Sequence, residues 1–283
     1  MKQIVLAVMA AVFLVSCQNM LDNEGQKNLE LNEQAIQNYI TSKKLTMEKS
    51  PSGSGLYYTY LKSNSGGTKP KVGDEVAIHY TLFTLQDVKF DSTERVANKP
   101  LTYIYGVNSL IAGMDEAMSI MRTGDRMLLL MNHFLAFGSQ SDNILPAYSA
   151  IGADLELMSV RTEDQRIEDY ITTKQLAVTE LSSTGLRFIR TATTTENKVA
   201  AGEVVKVKYT GKLLNDKQFD SGEIQVRVGG GGVIKGFDEG VSKMRYNEKA
   251  ILVFPSSLGY GTQGSGTTIM PYAPLVFEVE VVK

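Results

Sequence analysis

Gly232-Val233-Ile234-Lys235-Gly236-Phe237-Asp238-Glu239-Gly240-Val241 decides the fold, because it reads as the start of a short amphipathic helix and it has an earlier counterpart. Leu110-Ile111-Ala112-Gly113-Met114-Asp115-Glu116 carries the same pattern at an offset of 123 residues. Outward from this pair, Phe90-Asp91-Ser92 returns as Phe219-Asp220-Ser221 and Gly73-Asp74-Glu75-Val76 as Gly202-Glu203-Val204-Val205, both at 129. Ser54-Gly55-Leu56-Tyr57-Tyr58 returns as Thr184-Gly185-Leu186-Arg187-Phe188 at 130, and the run Asn38 to Leu45 as Asp169 to Leu176 at 131. The drop from 129 to 123 places a deletion of six residues in the second copy, between the Phe-Asp-Ser motif and the helix. Stacked solenoid repeats have periods of about 20–50 residues, so a period this long is a duplicated domain.

Composition agrees with a globular protein of about two domains: 283 residues, 43% hydrophobic, 21% charged. With 29 basic and 31 acidic side chains the formal charge is −2, which supplies no basic surface for nucleic acid. One Cys and two His leave little for a zinc site or a disulfide framework. Lys2 followed by the apolar run Ile4 to Val15 is too short to span a bilayer and reads as a secretion signal over residues 1–16. Leu14-Val15-Ser16-Cys17 resembles the lipobox of bacterial lipoproteins, which implies that Cys17 is lipidated and becomes the mature N-terminus. Loss of Lys2 with the signal takes the net charge to −3. Several acyl chains, each burying CH₂ groups at roughly 0.8 kcal/mol, make a stable anchor. Gln18 to Gln26 reads as a polar tether.

Each copy opens with a helical segment, with Leu31, Ala35, Ile36, Tyr39 and Ile40 at helical spacing in the first and Ile167, Tyr170 and Ile171 in the second. A strand with period-two alternation follows, Val76-Ile78-Tyr80-Leu82 or Val205-Val207-Tyr209. Short helices are expected over Leu110 to Met121 and Val233 to Met244, then strands at Met127 to Met131, Asp154 to Val160, Ala250 to Phe254 and Leu275 to Val282. Many short strands around one helix predict an α+β domain whose antiparallel sheet is covered on one face. The expected segments are 17–53 (tether and helix), 54–160 (domain 1), 161–183 (linker helix) and 184–283 (domain 2).

Gly229-Gly230-Gly231-Gly232 lacks the spacing of a dinucleotide loop and the Gly-Lys-Ser/Thr of a P-loop, and reads as a turn. His79 and His133 stand far from each other and from any second ligand, so both read as structural. No Gly-x-Ser-x-Gly elbow occurs. The ordered set in the second copy is more specific: Tyr209, Phe219-Asp220-Ser221, Gly232 to Val241, Phe254-Pro255, Leu258-Gly259-Tyr260-Gly261, Ile269-Met270-Pro271 and Leu275 to Glu280. It resembles FKBP-type peptidyl-prolyl cis-trans isomerases over about Gly185 to Lys283. The resemblance implies a curved antiparallel sheet wrapped around a short helix.

It also implies a chemistry that needs no nucleophile and no cofactor. Resonance puts the barrier to rotation about a peptide bond at about 18–20 kcal/mol, and an X–Pro bond favours trans by only about 0.5–1 kcal/mol. Twisting the amide removes C–N double-bond character and charge separation, so a dry apolar cup that fits the twisted form lowers the barrier. By resemblance Phe237 forms the floor, where the family usually has Trp, Tyr209, Phe219 and Phe277 the walls, and Val233 and Ile234 the rim. The Tyr260 hydroxyl and the Ile234 N–H would bind substrate carbonyls, and Asp220 would polarise the carbonyl side. Only Gly222 and Glu223 separate Ser221 from Ile224, where the family has a longer bulge with an Arg. Ser265 and Thr268 stand where it tends to carry His and an aliphatic residue.

The first copy keeps Tyr80, Phe90, Asp91 and a nearby Arg95, but has Met114 at the floor, Phe137 for the hydroxyl-bearing Tyr, and Ala153 for the wall Phe. It is expected to bind or scaffold with weak or no isomerase activity. The expected function is a lipid-anchored isomerase of a bacterial envelope, its second domain acting on X–Pro segments of unfolded or envelope proteins. The alternative is a non-catalytic interaction lipoprotein of the same fold. A homodimer through the linker helices is a further expectation.

Overall fold

The computed structural model describes residues 24–107 and 110–283. The signal segment and the lipidation motif ending in Cys17 lie outside the described residues. The chain divides into two compact units, the first reaching Val160 and the second running from Arg161 to Lys283, with Val72–Glu75 grouped with the second.

The first unit contains helix α1 (residues 24–43), β1 (Glu48–Lys49), β2 (Tyr57–Lys62), β3 (Glu75–Thr84), β4 (Lys89–Ser92), β5 (Leu101–Ile104), α2 (Ala112–Met118), β6 (Arg126–Met131) and β7 (Ile151–Arg161). The second contains α3 (Glu163–Thr173), β8 (Glu180–Leu181), β9 (Arg187–Ala192), β10 (Val204–Leu213), β11 (Gln218–Arg227), α4 (Lys235–Ser242), β12 (Lys249–Phe254) and β13 (Leu275–Val282). The sheet orders are β1-β2-β6-β7-β3-β4, with β5 also on β3, and β11-β10-β13-β12-β9-β8. Two FKBP-like α+β domains therefore stand in tandem. The expected tether extends too far, since residues 24–26 already belong to α1. The short helices are narrower than their sequence limits. Ile111 and Ile234 stay extended as N-caps, with ψ of 143° and 145°, so the rim residues precede the helix rather than lying in it.

The six-residue deletion has a definite place. In the first unit β4 and β5 are two four-residue strands separated by residues 93–100, a loop closed by the Glu94–Lys99 bridge. In the second unit the loop is gone and one ten-residue strand, β11, takes the place of both.

Period-two alternation turns Val205 and Val207 of β10 and Val279 and Val281 of β13 into one core with Phe237, Val241 and Met244. Gly236 lets α4 lie against β12, because a Cβ there would stand 2.6 Å from the Phe254 ring. The sheets are covered on both faces, not one. Ile167 and Ile171 of α3 pack on Ile189, Val253 and Val276, and Ile36 and Tyr39 of α1 pack on Tyr57 and Leu130. The outer sheet face thus buries Ile36 and Tyr39 of the first stripe and Ile167 and Ile171 of the second, while Leu31 at the start of the first stripe stays 50% exposed.

A repeated triad fixes the docking. The Tyr39 hydroxyl donates to Asp87 at 2.8 Å beside Lys43, and the Tyr170 hydroxyl donates to Asp216 at 3.1 Å beside Lys174. A second clamp differs in chemistry. Asn32 Oδ1 accepts from the His133 N–H at 2.7 Å and lies 3.0 Å from its Nδ1, whereas Glu163 accepts from both the N–H and the hydroxyl of Ser256 at 2.7 Å.

Candidate active site

In the second unit the pocket is built on β10, β11, β13 and the start of α4. Tyr209 pairs with Val279 on one side and Gly222 on the other, while Phe277 stands across from Gly211 and Leu252. Gly211 is required there, since a Cβ would fall 2.7 Å from the Phe219 ring and 2.9 Å from the Phe277 ring. Phe219 is the extra residue of a bulge: Gly211 pairs with Asp220 but Lys212 with Gln218, which turns the Phe219 ring toward the cavity.

The rings meet edge to face. Tyr209 and Phe237 centroids lie 5.7 Å apart, Phe237 and Phe277 5.2 Å, and Phe219 and Phe277 5.6 Å, with Phe254 stacked on Phe277 at 5.8 Å. Phe237 and Phe277 are buried, while Phe219, Tyr209, Val233 and Ile234 are half-buried. Together with Asp220 and Tyr260 they line one cavity of about 440 Å³. All eight residues singled out from the sequence are thus brought together. Ile224, Gly231 and Gly232 complete the lining and were missed. The alternation Ile224, Val226, Val228 beside the Gly run was the available sign for Ile224.

The Tyr209 hydroxyl donates to Asp220 Oδ2 at 2.9 Å, and Asp220 Oδ1 accepts from the Ser221 N–H at 2.9 Å. Burial and the Asp220 carboxylate push the Tyr209 phenol above its ordinary range. The glycine run is pinned from α4: Asp238 accepts from the N–H groups of Gly229 at 2.8 Å and Gly231 at 3.1 Å. Two donors at the rim have no partner among the described residues, the 37% exposed Tyr260 hydroxyl and the Ile234 N–H. A larger groove of about 850 Å³ continues from the cavity, sharing Val233, Ile234 and Tyr260, toward Lys235, Ser242 and Gln263.

The first unit keeps a cavity of about 540 Å³ with a different lining, including Tyr80, Leu82, Asp91, Met114 and Phe137. Tyr80 donates to Asp91 at 2.9 Å, and its phenol is pushed up to about 12 by burial and that carboxylate. Leu129 pairs with Ala153 as Leu252 pairs with Phe277, so Ala153 does occupy the wall position. On β3 the buried Leu82 stands at the position of Gly211 and lines the cavity, which Ala153 does not. Arg95 does not neighbour Asp91; its guanidinium is held by Glu156 and, at 3.2 Å, by Asp154. His79 lies 2.9 Å from the Thr93 hydroxyl, and both histidines are buried.

A family model described as FKBP-type peptidyl-prolyl cis-trans isomerase matches residues 66–157 and 195–282. The FK506-binding protein of Neisseria meningitidis serogroup A is 44% identical over 87 residues, covering 29% of this chain and 80% of that protein. FK506-binding protein 2 of Dictyostelium discoideum is 43% identical over 90 residues, 30% of this chain and 68% of that protein. Peptidyl-prolyl cis-trans isomerase FKBP9 of Rattus norvegicus is 29% identical over 230 residues, 79% of this chain, and the chain spans 37% of its length. With the model matched twice over most of the two units, the chain belongs to the FKBP-type peptidyl-prolyl cis-trans isomerase family.

Proposed function

We propose that the second domain isomerises X–Pro bonds and that the first binds polypeptide with little or no catalysis. The observation that carries this reading is an aromatic-lined cup with two unpartnered donors, Tyr260 and Ile234, at its mouth. A proline ring enters over Phe237 between Tyr209, Phe219 and Phe277, and burial of those faces excludes water from the amide. The Ile234 N–H and the Tyr260 hydroxyl hold the flanking carbonyls, so the bond twists while its ends stay fixed. Asp220, held by Tyr209 and Ser221, keeps a negative potential on one wall, which favours one orientation of the carbonyl dipole as conjugation is lost. In the first domain Phe137 offers no hydroxyl, and Leu82 with Ala153 replaces an aromatic wall by an aliphatic one. Isomerisation of X–Pro peptides, measured on each domain separately, tests the division: catalysis by residues 161–283 supports it, and inactivity on several peptides replaces the enzyme by a binding module.

The leader and Leu14-Val15-Ser16-Cys17 support a place in a bacterial cell envelope, with Cys17 acylated and the domains held at a membrane surface. Its substrates there are X–Pro segments of secreted or envelope proteins during folding.

A further inference from the structure

Among the described residues β11 is the outermost strand of its sheet and pairs only with β10. Val228 directs both backbone groups inward, its N–H to the Glu203 carbonyl and its carbonyl to the Gly202 N–H, each at 2.8 Å. By the two-residue period of an antiparallel ladder, Val226, Ile224 and Gly222 face β10 as well; Ser221, Glu223 and Gln225 turn their N–H and C=O groups to the free edge, and Arg227 presents its N–H alone, its carbonyl accepting from the Gly230 N–H at 2.9 Å. Ser221 is capped by Asp220, which leaves the amides of Glu223, Gln225 and Arg227 open.

A long free edge is normally guarded by charge, by short strands or by a covering loop. The first domain has such guards, with two four-residue strands and the loop 93–100 tied down through Arg95 to Asp154 and Glu156. The second domain has lost them. Its two charged edge residues are folded back over the sheet, Glu223 to Lys206 at 2.9 Å and Arg227 to the Gly202 carbonyl at 2.9 Å. The glycine turn folds back on the strand at Arg227, so the open stretch centres on Glu223 and Gln225.

We infer that the free edge of β11 takes an extended segment of the polypeptide substrate as an added strand, next to the proline pocket. The inference rests on the isomerase reading of that pocket. Continuity identifies the occupant: Ile224, whose side chain lines the cavity, lies between the open amides of Glu223 and Gln225. A chain leaving the cup over Ile224 meets these amides first, and backbone pairing accepts any unfolded sequence. The edge would thus raise the residence of long clients while adding nothing for a peptide too short to reach it.

The test uses the full chain carrying Gln225→Pro. Proline there removes an outward N–H and leaves the β10 ladder intact, because Gln225 does not donate to β10. The probe is a permanently unfolded, proline-containing polypeptide bearing a fluorophore, with a short X–Pro tetrapeptide as reference. Affinity for the polypeptide should fall about five- to tenfold while turnover of the tetrapeptide is unchanged, and Gln225→Ala should bind as the parent does. On the unsubstituted protein, adding the polypeptide should slow hydrogen exchange at Glu223, Gln225 and Arg227, a readout independent of how the proline variant folds. Unchanged binding by Gln225→Pro, an equal loss in Gln225→Ala, or unprotected edge amides overturns the inference. So does a dimer that Gln225→Pro dissociates with polypeptide affinity unaltered, since the edge would then join two copies. Failure of the parent to turn over the tetrapeptide counts against the isomerase reading alone, and edge protection remains readable.

Discussion

Exchanging the wall of the second domain for that of the first should expose a packing compensation between two strands. Phe277→Ala removes a buried ring in contact with Phe237, Phe219 and Phe254, at a cost of about 3–5 kcal/mol. Gly211→Leu alone drives a side chain into the Phe219 and Phe277 rings, which stand 2.7 Å and 2.9 Å from its Cβ, and overpacking of this kind costs about 1–3 kcal/mol. Together the substitutions reproduce the Leu82 and Ala153 pair, which lie in one core cluster, so the leucine is expected to take the space the ring leaves. The double variant should therefore be about 1–3 kcal/mol more stable than the sum of the singles implies, the range found for residues in direct contact. Urea denaturation followed by hydrogen exchange at β10 and β13 amides reads the second unit separately from the first. The repacked pocket should still lose isomerase activity, because an aliphatic wall no longer matches the ring. Additivity within about 0.5 kcal/mol would falsify the compensation and the equivalence of Leu82 with Gly211.

Tyr260→Phe should slow isomerisation roughly two- to tenfold through the loss of one orienting hydrogen bond of about 0.5–1.5 kcal/mol; an unchanged rate removes the hydroxyl from the mechanism. Burial holds the His133 imidazole below its usual pKa, so the folded first unit favours the neutral ring. That contribution is complete above the unfolded pKa of about 6.5 and is lost as pH falls through the depressed folded value. The first unit should thus weaken in mild acid while the second, with Ser256 at the matching position, does not; equal acid sensitivity in His133→Gln argues against this. Cys17→Ser should move the protein from the membrane to the soluble envelope fraction, and continued membrane association with no acyl mass on the N-terminal peptide contradicts lipidation.

The duplicated architecture was readable because the motifs recur in order, and the pocket because aromatic, acidic and glycine positions agree jointly, where any single ring would read as core. The docking triads were half visible. Tyr39 with Lys43 and Tyr170 with Lys174 stand in the repeat, but their partners Asp87 and Asp216 lie in a distant turn, and only the folded hairpin brings them to the helix. Alternation along the strands marked one buried face and left the second hidden, since Val253 and Val276 sit in nearly continuous apolar runs that carry no face information. The merging of β4 and β5 into β11 was implied by the changing offset. Its consequence, a free edge beside the pocket, depends on pairing register, which no local pattern states.

Isomerisation of an X–Pro peptide by residues 161–283 and by residues 17–160, measured as kcat/KM under the same conditions, bears most directly on the division of labour. The account requires catalysis by the fragment holding Phe237, Tyr260 and Phe277, with little or none from the fragment holding Met114, Phe137 and Ala153. Activity confined to residues 17–160 would contradict it.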